Sequence, residues 1–150
     1  MPHSYVSNLM HCTFSTKQRF PFIQPTLEKP LWAYMGGIAR ANKMKALAIG
    51  GVADHVHLLL SLPATMNIAK AIQLIKAGSS KWVHESFRRQ QKFAWQDGYA
   101  AFSVSASQVA KTIRYIENQK EHHRKKSFEE EFIALLDKHG IEYDRRYVFN

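Results

Sequence analysis

His55 and His57 stand two apart in the run Asp54-His55-Val56-His57-Leu58-Leu59-Leu60. In an extended chain residues i and i+2 share a face, so both imidazoles project together while Val56, Leu58 and Leu60 project the other way. Two nitrogen donors side by side on a rigid strand suit a divalent metal ion, and they suit equally a histidine pair packed without one. A second pair, Tyr115 and Gln119, lies at i and i+4 in Tyr115-Ile116-Glu117-Asn118-Gln119, which puts a phenol and an amide on one helical face. A phenol becomes a nucleophile once its proton is removed, and half-buried packing is the ordinary role of a tyrosine on such a helix. His122, further along that face, is a candidate base or a solvated side chain. Asp54 reads as a turn former or as an acceptor that orients an imidazole.

Two other readings of clustered histidines fail on particular residues. A histidine-triad hydrolase requires a third histidine where Leu59 stands, and a zinc protease requires HExxH on a helix, a string this chain lacks.

The elements that must carry these groups follow from periodicity. YVSNLMHCT predicts a strand over Tyr5 to Thr13. Beyond Pro25, Thr26 as N-cap and Leu27, Leu31, Tyr34, Met35 and Ile38 at helical spacing predict a helix to about Lys43. KALAIGGV and HVHLLLSL predict a hairpin, closed off by Pro63. Met66, Ile68, Ala69, Ile72 and Ile75, continuing to Trp82 and Val83, predict a second long helix to about Phe87, with Trp82 in core register. GYAAFSVSAS predicts a fourth strand, followed by a helix from Gln108 to His123 capped by Ser105 or Ser107. A last helix is expected from Ser127 to Lys138, with Ser127 and Glu130 spaced as a capping box and Gly140 beyond its end. Strand, helix, strand, strand, helix, strand is the split βαβ order of an α+β ferredoxin-like sandwich with an antiparallel sheet, here extended by C-terminal helices. One domain over 1–150 is expected, its core reaching about 104 and the tyrosine helix and extension spanning about 105–150.

With 21 Lys and Arg against 12 Asp and Glu the formal charge is +9, which suits a polyanionic partner. Six basic residues against two acidic ones lie between Lys111 and Lys126, making Lys111 and Arg114 candidate nucleic-acid contacts. Lys70 to Lys92 is a second basic stretch, which Arg88 and Arg89 either extend or leave as a polar loop; each stretch alone reads equally as a solvated face. The 45% apolar content excludes wholesale disorder, and the lone Cys12 excludes an internal disulfide or CxxC knuckle and fits a reducing compartment. With no apolar run near the roughly 18 residues of a membrane span and no signal-peptide pattern, a cytoplasmic, nucleoid-associated protein with no membrane partner is expected.

Taken together, DHVHLLL, YIENQ, the intervening IKAGSSKWVHE and GYAAFSVS resemble the single-tyrosine HUH transposases of bacterial insertion sequences, and the likeness continues through EHHRKKSFEEEF and GIEYDRRYVF. Within that group the chain is most similar to the REP-associated tyrosine transposases. The resemblance implies that His55 and His57 bind a divalent ion, that Gln119 supplies the third protein ligand and that Tyr115 is the nucleophile. It implies cleavage and rejoining of single-stranded DNA hairpins through a 5′-phosphotyrosine intermediate with a free 3′ hydroxyl, with no nucleotide cofactor. Mg²⁺ or Mn²⁺ is the ion expected. The resemblance also sets Lys76, Ser79, Ser80 and Lys81 on a DNA-facing helix. A homodimer follows from it as well, with the tyrosine helix serving the partner's histidines across the polar stretch Glu121 to Lys126. One rival is a non-catalytic hairpin-binding protein of the same fold, which has no need of His55, His57, Tyr115 and Gln119 together. Another is a nuclease in which water replaces the tyrosine.

Overall fold

The structure, a computed structural model, describes residues 3–149. Four strands, β1 (Leu9–Ser15), β2 (Lys45–Val52), β3 (His55–Ser61) and β4 (Ala100–Ser103), form one antiparallel sheet in the order β2-β3-β1-β4. With α1 (Pro25–Ala41) between the first two strands and α2 (Ile68–Ser86) between the last two, this is the α+β split βαβ architecture expected from the sequence.

The period-two alternation of β1 and β3 divides the molecule. Cys12 and Phe14 of β1 and Val56, Leu58 and Leu60 of β3 face one way, where α1 buries Leu27, Leu31, Met35 and Ala39 and α2 buries Ala71, Ile72, Ile75 and Val83 against them. Burying such side chains contributes about 1.5–3 kcal/mol each, so this layer is the principal core. The opposite face of the sheet carries His11, His55, His57 and Leu59, and it is covered by the C-terminal helices α3 (Val109–Glu117), α4 (Gln119–His122) and α5 (Phe128–Lys138). From α3, Ile116 packs on Ala48 and Leu59; from α5, Phe128, Phe132 and Leu136 pack on Ala100 and Phe102.

Element boundaries differ from the sequence expectations where pairing partners decide them. β1 begins at Leu9, paired with Ser61, while Tyr5 and Val6 are 93% and 57% exposed. The first helix starts at Pro25, whose fixed φ suits the first helical position, so Gln24 and not Thr26 precedes it. β4 stops at Ser103, because residues Ala106–Gln108 already turn in a 3₁₀ conformation to start α3; Ser105 and Ser107 bond each other at 3.1 Å, and neither caps the helix. The expected single helix from Gln108 to His123 is interrupted at Asn118 (φ −98°, ψ 25°), which separates α3 from α4. The capping box of α5 forms as expected, Ser127 Oγ accepting from the Glu130 amide at 3.2 Å. Trp82 is half-buried against the core and stacks on Tyr34, ring centroids 4.7 Å apart.

Gly50 of β2, the register partner of His57, is where the tyrosine helix meets the sheet: a Cβ there would run into the Ile116 carbonyl. Gly50→Ala should therefore push α3 off the sheet and lower stability by about 1–3 kcal/mol in urea unfolding. Gly36→Ala on α1, where the nearest atom to a new Cβ is Ile49 Cδ1 at 3.8 Å, should be neutral or stabilising by up to about 1 kcal/mol. Equal effects at the two positions would contradict the close approach of α3.

Candidate active site

β3 presents His55 and His57 on one face, both fully buried, beside Ser15 and Thr13 of β1. Each ring is held at Nδ1. His55 Nδ1 donates to Asp54 Oδ1 at 2.7 Å, so Asp54, which also sits in the β2–β3 turn, orients the first imidazole. His57 Nδ1 lies 2.8 Å from Nε2 of the buried His11. With both Nδ1 atoms engaged, the two Nε2 atoms point inward to Glu131 of α5, His57 Nε2 at 2.8 Å and His55 Nε2 at 3.4 Å from Oε1. His123 Nε2 reaches the same oxygen at 3.1 Å, and its Nδ1 donates to the Lys126 carbonyl at 2.7 Å.

The helical pair follows its predicted spacing despite the break at Asn118. Gln119 Oε1 stands 3.2 Å from His55 Nε2, and its amide donates to the Tyr115 carbonyl at 3.1 Å. Tyr115 packs with its ring centroid 5.6 Å from that of His57, and its hydroxyl donates a short hydrogen bond to Glu131 Oε2. His122 Nε2 lies 3.5 Å from the Tyr115 hydroxyl and 3.3 Å from Glu131 Oε2.

Electrostatics follow from this geometry. Burial works to raise the Glu131 carboxyl, but hydrogen bonds from His123, His55 and His57 overcome it and hold the group well below the usual carboxylate range. Burial disfavours charge on His55, yet Asp54 and Glu131 outweigh it and raise its pKa to about 9. His57 and His11 have no such surplus of acceptors, and burial lowers them to about 4 and about 3. Burial, then the charge of Glu131, lifts Tyr115 above the ordinary phenol range, so the tyrosine is neutral at rest. Burial likewise lowers His122 below the ordinary imidazole value.

A family model described as IS200-like transposase matches residues 4–119. The chain belongs to the IS200-like transposase family. The transposase for insertion sequence element IS200 of Salmonella typhimurium is 26% identical over 117 residues, covering 74% of this chain and 76% of that protein, and its Salmonella typhi counterpart matches to the same extent. The crystal structure of a Deinococcus radiodurans protein described as a transposase superposes with a TM-score of 0.63 at 25% identity, over 79% of this chain and 96% of that one. A REP-associated tyrosine transposase, solved bound to a REP hairpin, shares the fold with a TM-score of 0.56 at 15% identity, over 77% of this chain and 68% of that one.

For a DNA transposase the basic residues matter next, with the two serines named beside them. Ser79 is fully buried, donating to the Ile75 carbonyl at 2.6 Å and accepting from Trp95 Nε1 at 3.0 Å, so its hydroxyl is engaged in packing α2. Lys76 Nζ is spent on the Gln96 and Gly98 carbonyls, each at 2.7 Å, and tethers the loop before β4. Ser80 is half-buried, and Lys81, Arg88 and Arg89 are exposed, but α2 covers the sheet face opposite the histidines. Lys111 and Arg114 are exposed on α3, the helix of Tyr115, and Lys111 lines a cleft of about 470 Å³ with His11, Phe102, Tyr115, Leu135 and Lys138. The tyrosine helix lies on its own chain's histidines. The polar stretch Glu121 to Lys126 follows the tyrosine and cannot tether it, whereas only residues 104–108 separate β4 from α3. Among the described residues no helix is long and apolar enough to cross a membrane.

Sequence reasoning missed His11, His123 and Glu131. The alternation of His11 with Thr13 was the available signal for the first. Stability of the metal-free protein should carry the imprint of these groups. His57 and His11 are held below their ordinary 6.5, so the unfolded chain takes their protons first and stability falls as pH drops from about 6.5 toward about 4. His55 is held above 6.5, so its contribution is complete below that value and is lost as pH rises through about 9. Urea unfolding across pH should show a maximum near the crossover, with an acid-side slope of up to roughly 2–3 kcal/mol per pH unit. Stability unchanged between pH 8 and 5 would contradict the arrangement.

Proposed function

We propose that this transposase cleaves and rejoins single-stranded DNA at hairpin-forming ends or repeats, with Tyr115 as nucleophile and a divalent ion held at His55 and His57. The observation that carries this reading is the convergence of the Tyr115 hydroxyl and both histidine Nε2 atoms on one buried carboxylate, Glu131. Nucleophile and metal donors thus meet within one site, as an in-line phosphoryl displacement requires. The donors fit an ion: His55 keeps Nδ1 on Asp54, and His57 can move its proton from Nε2 to Nδ1 because His11, a neutral imidazole, can accept as readily as donate. Gln119 stands within reach as an oxygen donor. When bound, Mg²⁺ or Mn²⁺ supplies Lewis-acid polarisation of a phosphate oxygen.

The chain's own groups do the rest. Tyr115 attacks phosphorus, the Tyr–O–P bond forms, and the P–O3′ bond breaks to leave a 3′ hydroxyl. The phenolic proton, donated at rest to Glu131 Oε2, is taken by His122 beside the phenol, and His122 passes it to the departing O3′. The phosphotyrosine keeps the energy of the broken phosphodiester, so rejoining needs no nucleotide cofactor. Lys111 and Arg114 on α3 meet the backbone of the strand that enters the cleft beside Tyr115. Hairpin DNA as the substrate is supported by the REP-hairpin complex of the structural relative. Residues 3–149 act as one domain, and any homodimer forms around sites that are each complete within one chain.

Incubation with a hairpin-containing single strand and Mn²⁺ should yield an SDS-resistant protein–DNA adduct. Tyr115→Phe should lose the adduct with binding nearly unchanged, and His57→Ala or EDTA should suppress cleavage. An adduct that persists in the Phe variant removes Tyr115 from the role.

Because only residues 104–108 precede α3, co-expressed His57→Ala and Tyr115→Phe chains carrying different tags should show no restored cleavage as a purified mixed species. Activity in that species would mean that the helix crosses to the partner.

A further inference from the structure

Two donors at the site, His123 and Glu131, lie beyond residue 119, where the family match ends. They complete a pattern. Each of three imidazoles has its Nδ1 engaged from outside the cluster: His55 by Asp54 at 2.7 Å, His57 by His11 at 2.8 Å, and His123 by the Lys126 carbonyl at 2.7 Å. Each then aims Nε2 at Glu131 Oε1, at 3.4, 2.8 and 3.1 Å respectively. Fixing an imidazole at one nitrogen by an outer partner is how proteins orient it toward a metal at the other. The four donor atoms all lie within 4.8 Å of one another. Ligand atoms held at about 2.1 Å by one ion stand roughly 3.0–3.4 Å apart in octahedral or tetrahedral geometry, close to the three Nε2–Oε1 separations.

We propose that His55, His57, His123 and Glu131 form a four-ligand cage for a transition-metal ion of the Mn²⁺ or Zn²⁺ class. This rests on the metal-dependent reading of the same site, adds His123 and Glu131 to the ligands that the resemblance implies and narrows the ion from Mg²⁺ or Mn²⁺. Three imidazoles and one carboxylate suit borderline ions and not Mg²⁺, which favours oxygen donors. Four protein ligands saturate tetrahedral Zn²⁺ and leave no position for a phosphate, whereas a six-coordinate Mn²⁺ keeps two. The nature of the ion therefore decides whether the site is closed or open to substrate. Glu131 can serve the ion through Oε1 while Oε2 still holds the Tyr115 hydroxyl, which would set the phenol oxygen beside the metal.

Co²⁺ titration of the metal-free full chain, followed by visible absorption, tests the ligand set, since four-coordinate Co²⁺ absorbs strongly and six-coordinate Co²⁺ weakly. One ion per chain is expected, displaced by Zn²⁺ and not by excess Mg²⁺. His123→Ala and Glu131→Gln should each weaken Co²⁺ binding about tenfold or more and alter the spectrum. If Gln119→Ala weakens binding while the other two leave it intact, the cage is wrong and the metal-dependent reading stands. If the wild-type chain takes up no Co²⁺, both fall. Should the Glu131 variant not fold, ¹⁵N-histidine spectra of the unaltered protein with Zn²⁺ decide: three coordinated Nε2 resonances support the cage, and two overturn it.

Discussion

A carboxylate that is 1% exposed can remain charged only if its lone pairs are met by donors. Glu131 satisfies that constraint with His57 and His55 from β3, His123 from the end of α4 and Tyr115 from α3. Placement of one charge thus ties α3 and α5 to the same face of the sheet. The charge also lies in the first turn of α5, where the helix dipole favours an anion. Breaking such a buried cluster from one side costs about 3–5 kcal/mol, so position and protonation at this site are a condition of the fold as well as of the chemistry.

The parts of the molecule readable from the sequence were those with a local period. Val56, Leu58 and Leu60 alternate with His55 and His57, and the structure puts the former in the principal core and the latter on the opposite face. Ile72, Ile75, Ser79 and Val83 follow a helical stripe, so the burial of Ser79 was available in the same pattern that revealed α2. Three consecutive glutamates carry no comparable signal. Glu129 pairs with Arg19 at 2.9 Å, Glu130 closes the capping box, and Glu131 enters the active site, yet in sequence all three read as acids at a helix start. Only the packing of Phe128 and Phe132 on β4 decides which of them turns inward. His11 is similar, because its meaning comes from strand register, which places it opposite Leu59 and within reach of His57.

His11 also belongs to two environments at once. It lines the cleft beside Tyr115, where Lys111 and Lys138 supply positive charge, and it holds the Nδ1 of His57. A strand lying in that cleft would touch a residue one hydrogen bond from His57. Substrate binding and the orientation of His57 therefore share a side chain, and the fully buried core on the other face of the sheet takes no part in either.

The capping box of α5 has a consequence for which changes of length the chain can absorb. Ser127 fixes where the helix begins, and Glu131 follows four residues later. Since each residue turns an α-helix by about 100°, one residue gained or lost inside that interval would swing the carboxylate out of the site. The connection over residues 124–126 is tied in another way, because the Lys126 carbonyl must return to His123 Nδ1, 2.7 Å away. The interval from serine to glutamate must therefore be counted residue by residue, whereas the connector before it is held to its length by a single carbonyl.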